Sequence, residues 1–157
     1  MAGGANHPSP EAVILGYFED ISAKRFAAAR ARIADDATWW VVGEGRWPLG
    51  GTYSNRELGK LFGIVDERFP EGLQITVQRT TSEGDRVVVE AESHGIRRDG
   101  RSYNNNYVFI FIVRDGLIRH RREYCDMFHA DDLLCGSIGD GSGATASDSK
   151  AGTQGYA

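Results

Sequence analysis

The 157 residues include 18 Lys+Arg and 22 Asp+Glu, a formal net charge of -4, with 41% hydrophobic and 25% charged residues. That balance fits one globular domain with its own core and argues against nucleic acid as a partner. The nearest basic run, Arg119 to Arg122, falls in a strand pattern whose neighbours face opposite ways. No apolar run approaches the ~20 residues that span a bilayer. Met1 to Pro10 lacks the basic and apolar stretches of a secretion signal. The expectation is a cytoplasmic protein, no membrane, with Cys125 and Cys135 reduced.

Ser9-Pro10-Glu11 reads as a helix start, with a hydroxyl cap, proline at the first helical position and an acid near the positive dipole end. Val13, Ile14, Tyr17, Phe18 and Ile21 then make one apolar stripe. A second helix is expected over Ala23 to Ile33, stopped by Asp35-Asp36, and a strand over Thr38 to Val42. Gly43 to Gly51, with four glycines and a proline, reads as a loop across the mouth of a hollow. Helical spacing returns from Tyr53 to Phe69, and Pro70 ends it. Four strands follow over Leu73–Thr80, Arg86–Ile96, Tyr103–Val113 and Leu117–Met127, separated by turns that include Asp99-Gly100 and Asp115-Gly116. The pattern gives three parts: a flexible start over residues 1–8, one α+β domain over 9–136, and a disordered Gly/Ser-rich tail over 137–157.

Counting alternate residues sorts the strand side chains by face. In the last strand Ile118, His120, Arg122, Tyr124 and Asp126 share a face, opposite Leu117, Arg119, Arg121, Glu123 and Cys125. In the preceding strands His94 lies with Glu90 and Glu92, and Tyr107 with Phe109 and Phe111. Helices over a curved sheet leave an aromatic-walled space, the usual place for a ligand. The candidate catalytic set is Asp126, His94, Tyr17 and Arg122. Asp126 and His94 are proton carriers, Arg122 sets the charge of Asp126, and Tyr17 donates to a developing oxyanion. Trp40, Trp47, Glu92, Tyr107, Phe109 and Tyr124 are the candidate substrate-binding residues. A plain structural role reads equally well for the Asp126–Arg122 pair, and Tyr17 reads as helix packing. The motifs of zinc, nucleotide and nucleophile-elbow sites are absent, so neither metal nor organic cofactor is expected.

The stretches YFEDISAKRFAAARARIADDATWWVVGEG, PLGGTYSNRE and GRSYNNNYVFIFIVRDGLIRHRREYCDMF resemble ketosteroid-isomerase-like and polyketide-cyclase-like (SnoaL-like) proteins of the nuclear transport factor 2-like superfamily, over Glu11 to Leu134. The resemblance implies a cone-shaped domain with a curved antiparallel sheet around N-terminal helices. It places Tyr17 at the oxyanion tyrosine of the isomerases, while Val41 and Tyr107 replace their two acids. Asp126 falls at the last-strand acid of epoxide-hydrolase-like and aldol-cyclase proteins, and Glu90 and Glu92 stand where epoxide hydrolases carry Arg and Asp. Together these imply a cofactor-independent acid–base enzyme, of lyase, isomerase or cyclase type, for a small, largely apolar, aromatic or polycyclic substrate. An epoxide-hydrolase-like enzyme and a non-catalytic binding or assembly module are the alternatives. A homodimer through the outer sheet face at Asn104, Val108, Ile110 and Ile112 is expected.

Overall fold

Ser9 opens the first helix, its hydroxyl accepting the Ala12 N–H at 3.2 Å. A computed structural model describes residues 7–137. The expected Gly/Ser-rich tail falls outside them but for Ser137, as does most of the expected flexible start. Helices α1 (Pro10–Ser22) and α2 (Phe26–Ala31) come first, then strands β1 (Ile33–Val41) and β2 (Gly51–Ser54) and helix α3 (Leu58–Arg68). Strands β3 (Gln74–Glu83), β4 (Arg86–Ile96), β5 (Ser102–Arg114) and β6 (Leu117–Cys125) follow, closed by the short helix α4 (Met127–Ala130) and a π-helical turn over Asp131–Cys135. No helix among the described residues is long and apolar enough to cross a membrane.

The six strands form one curved, open sheet in the order β2-β1-β6-β5-β4-β3. Among the described residues only the β1–β6 ladder is parallel. The helices and the sheet together make the expected α+β cone.

Two differences from the sequence expectation matter. Asp35 and Asp36 do not stop a helix; they lie within β1, exposed, where they meet Arg30 and Arg119. The register of β1 against β6 shifts between Ile33 and Thr38, and that irregular stretch lets both acids reach solvent. The glycine-rich segment yields a short second strand, Gly51–Ser54, against β1. Four residues with a glycine at their start carry too little alternation to be read as a strand.

Asp115 and Gly116 both take positive φ (54° and 73°), the signature of the tight turn that matches strand twist in a hairpin. Just beyond that turn β6 bulges. Val113 pairs with Ile118 but Ile112 pairs with His120, so Arg119 is an extra residue. From His120 onward the faces are therefore the reverse of those counted from Ile118: Ile118 and Arg121 are both buried, and His120 and Arg122 are exposed.

Two buried clusters hold the domain. One packs α1 (Val13, Ile14, Tyr17, Phe18) on the inner faces of β4 and β5. The other gathers Trp39, Val41, Trp47, Leu58, Phe69, Tyr103 and the closing residues Ala130 and Leu133. Buried Arg97 reaches the Leu133 carbonyl at 3.2 Å and Arg68 reaches the Gly136 carbonyl at 2.6 Å, which pins the closing turn to the body. The two clusters do not merge; a hollow lies between them.

Candidate active site

The hollow has a volume of about 370 Å³ and is walled largely by aromatic and aliphatic side chains from both clusters. Phe18, Trp39, Trp47, Phe62, Tyr107 and Phe109 supply its rings. Its polar floor comes from two neighbouring inward positions of β6, Arg121 and Glu123, which register opposite Phe111 and Phe109 of β5.

Arg121 organises this floor. One terminal nitrogen donates to the Tyr17 hydroxyl at 3.0 Å and the other to Glu123 Oε2 at 3.0 Å. Its guanidinium lies 3.3 Å from the Trp39 ring centroid and 4.4 Å from that of Phe109, so π-faces replace the water it has lost. Its buried Nε–H has no acceptor among the described residues. A permanent cation is thus held in an apolar box by one carboxylate, one phenol and aromatic faces.

Glu123 is fixed in turn. Trp39 Nε1–H donates to its Oε2 at 2.9 Å, beside the bond from Arg121. Both donors use the same oxygen, and Oε1 has no hydrogen-bond partner among the described residues. Burial pushes the Glu123 carboxyl above its usual range, although the Arg121 charge and the two hydrogen bonds oppose the rise. The Tyr17 hydroxyl is likewise pushed up by burial, against the pull of Arg121. Because that hydroxyl accepts from Arg121, its own proton is free to be donated elsewhere. The arrangement presents a desolvated base and an O–H donor, both backed by one cation.

Next along β5 from Phe109, the Tyr107 and Tyr103 hydroxyls are 2.8 Å apart, and Asn105 donates to Tyr103 at 2.9 Å. Burial raises Tyr107 well above the ordinary phenol value, so it stays protonated. Cys125 is pushed up to about 12 by burial and by the nearby Glu123 and Asp126 charges, which leaves it an inert thiol.

Among the residues expected from the sequence, Tyr17, Trp47, Tyr107 and Phe109 line the hollow, and His94 reaches its rim. His94 is itself exposed and bonds through Nδ1 to Asn104 at 2.6 Å, away from Glu123 and Arg121. The other five lie elsewhere. Asp126 is exposed and caps α4, accepting the Phe128 and His129 N–H groups at 3.0 and 3.2 Å. Arg122, Trp40 and Tyr124 form a stack on the outer face, with the guanidinium 4.3 Å from the Trp40 ring and the Trp40 and Tyr124 rings 5.3 Å apart. Glu92 is exposed and pairs in register with Thr76 and Asn106, also on the outer face. The Arg119 bulge explains Arg122 and Tyr124, and the end of β6 at Cys125 explains Asp126. Trp40 lies outside because Ala37, Trp39 and Val41 take the inner positions of β1.

Sequence reasoning does not single out Arg121 or Glu123. The usable signal is the parity of β5. Its Tyr107, Phe109 and Phe111 face inward without interruption, and whichever β6 residues sit opposite them must share their environment.

A family model described as SnoaL-like domain matches residues 14–121. Among solved structures, an NTF2-like protein of unknown function from Burkholderia pseudomallei is similar at 19% identity, covering 81% of this chain and 98% of that one, with a TM-score of 0.70. IdmH, a putative polyketide cyclase from Streptomyces antibioticus, is 22% identical over 82% of this chain and 98% of its own, at a TM-score of 0.68. An LEH-like epoxide hydrolase from M. tuberculosis is 19% identical over 80% and 89%, at 0.64. No curated protein sequence matches significantly.

Proposed function

Because the chain belongs to the SnoaL-like domain family, a family of small-molecule-binding folds, we propose that it is a cofactor-independent acid–base enzyme whose proton carrier is Glu123. Glu123 Oε1 removes a proton from carbon next to a carbonyl in a small, largely apolar, aromatic substrate. The carbonyl oxygen, as it becomes an enolate, takes the free Tyr17 O–H. Charge is conserved across the floor. Before the transfer the Arg121 cation is balanced by the Glu123 carboxylate, and afterwards by the substrate's enolate, held through Tyr17. The cation stays still while the negative charge moves past it, so little reorganisation is needed.

The same first step serves three outcomes. The proton on Glu123 returns to a different carbon in an isomerisation. The enolate attacks a carbonyl within the same molecule in an aldol cyclisation, and the alkoxide formed takes the proton back from Glu123. A β-hydroxyl leaves as water, taking the Glu123 proton, in an elimination. The similarity to IdmH, a putative polyketide cyclase, favours the second. An epoxide-hydrolase reading lacks the Arg and Asp it needs on β4, where Glu90 and Glu92 stand instead, both exposed on the outer face.

The observation that carries this reading is the single guanidinium of Arg121 gripping both Glu123 and Tyr17. Deuterium uptake at the α-carbons of 2-tetralone and benzoylacetone, followed by NMR in heavy water, tests it. The wild type is expected to accelerate exchange over buffer. Glu123→Gln should cut that acceleration by about 10²- to 10⁴-fold, and Asp126→Asn should leave it unchanged. Undiminished exchange in Glu123→Gln would remove Glu123 from the chemistry.

A further inference from the structure

A second hollow of about 370 Å³ lies beside the first, between α1, α2, the start of β1 and α3. Tyr17, Ile21, Phe26, Phe62 and Asp66 line both. The two spaces are therefore neighbours across a thin partition of side chains, and the partition includes the tyrosine that touches Arg121. Each volume alone is near the lower end of what ligand pockets offer. A molecule that used only the first would leave the second as empty apolar space against Ala29, Ile33 and Leu58.

The second hollow carries different chemistry. Its charged lining is Arg30, Arg56 and Asp66, two cations to one acid, with no base facing a reacting carbon as Glu123 does in the first. Arg30 is already engaged, by the Ile33 carbonyl and by Asp35, both at 3.2 Å. Asn55 is tied to the Ala34 carbonyl at 2.9 Å. Arg56, exposed in the turn before α3, has no ion pair or hydrogen bond among the described residues.

One exposed glycine borders this space and offers a place from which to fill it. Gly59 lines it from the first turn of α3, and a Cβ added there meets no atom within 4 Å. Glycine is the costly choice in a helix, about 1 kcal/mol worse than alanine, and its φ is not one that demands it.

We propose that the second hollow is a tail subsite: the substrate has two parts, a ring system over Arg121 and Glu123 and a flexible chain that passes Tyr17 and Phe62 to end in a carboxylate beside Arg56. The proposal rests on the first hollow being the reaction site. Its test reads binding alone, so it stands or falls separately from the role of Glu123.

Two naphthalene probes make the comparison by calorimetry: 2-naphthol, which has no tail, and 4-(2-naphthyl)butanoate, together with the primary amide of the latter. Wild type should bind the butanoate at least about tenfold more tightly than 2-naphthol, from the apolar chain it buries. Gly59→Leu, which fills the space and improves the helix, should abolish that advantage and leave 2-naphthol affinity unchanged. Arg56→Gln, in an exposed turn, should weaken the butanoate severalfold and spare the amide. Equal wild-type affinity for 2-naphthol and butanoate, or an advantage that survives Gly59→Leu, would overturn the subsite. Loss of 2-naphthol along with the butanoate in Gly59→Leu would also do so, because the two hollows would then be one. Equal loss of acid and amide in Arg56→Gln would overturn the assignment of the anion.

Discussion

Two carboxylates three residues apart, Glu123 and Asp126, meet opposite surroundings. Glu123 lies inside the aromatic hollow with two donors on one oxygen, and burial lifts its proton affinity. Asp126 stands at the surface, where backbone N–H groups at the start of α4 occupy its Oδ1. One has a free oxygen in the aromatic hollow; the other completes a helix end. The contrast shows that an acid near the end of the last strand carries no chemistry by position alone. What matters is which face it takes and who already holds its lone pairs.

The comparison can be broken most severely through Arg121. Arg121→Met removes the cation and leaves the Glu123 carboxylate buried and unpaired, which should cost about 3–5 kcal/mol by denaturant unfolding. Arg122→Met, the next residue but on the outer stack, should cost no more than about 0.5 kcal/mol. Similar losses at both positions would mean that the inner face is not the dry one.

Acidity gives a second handle. A base with a raised pKa is lost earlier as pH falls, so the kcat/KM of α-exchange should drop tenfold per pH unit below a midpoint above the ordinary carboxylate value of about 4.3. Stability runs the other way. The folded state holds the Glu123 proton more tightly than the unfolded chain does. Its contribution is therefore complete below the unfolded pKa and is lost as pH rises through the folded one. Melting temperatures of wild type and Glu123→Gln, compared from about pH 4 to 8, should shift in favour of the variant as pH rises. A constant difference across that range would contradict the burial of this carboxylate.

A small effect is expected at Asp126. Asp126→Ala should cost about 1 kcal/mol through loss of the helix cap, with α-exchange retained. An activity loss larger than that destabilisation explains would return Asp126 to the mechanism.

Much of the architecture was legible because it rests on repeated, local signals. Pro10 and the Val13-Ile14-Tyr17-Phe18 stripe define α1, and the turn at Asp115-Gly116 and the aromatic parity of β5 define the last hairpin. The site was only half legible. Tyr17, Trp47, Tyr107 and Phe109 lie on elements of unbroken period, where counting works. Arg121 and Glu123 lie beyond the Arg119 bulge, and no residue type near it announces an extra position. Asp35-Asp36 misled for a related reason, since two adjacent acids look like a helix stop unless an irregular ladder turns both outward.

The Arg119 bulge makes β6 behave like text with a reading frame. Deleting that one residue would restore strict alternation from Ile118 and still leave Arg121 and Glu123 facing the helices, opposite Phe111 and Phe109, because the extra position is what now keeps them in phase with Ile118. If β6 paired without the bulge at its present length, His120, Arg122 and Tyr124 would instead face the helices, with a histidine where the cation pair now begins. Chains of this shape that lack the extra residue altogether would present the same inward pair, so their floors correspond by β5 partner and not by residue count.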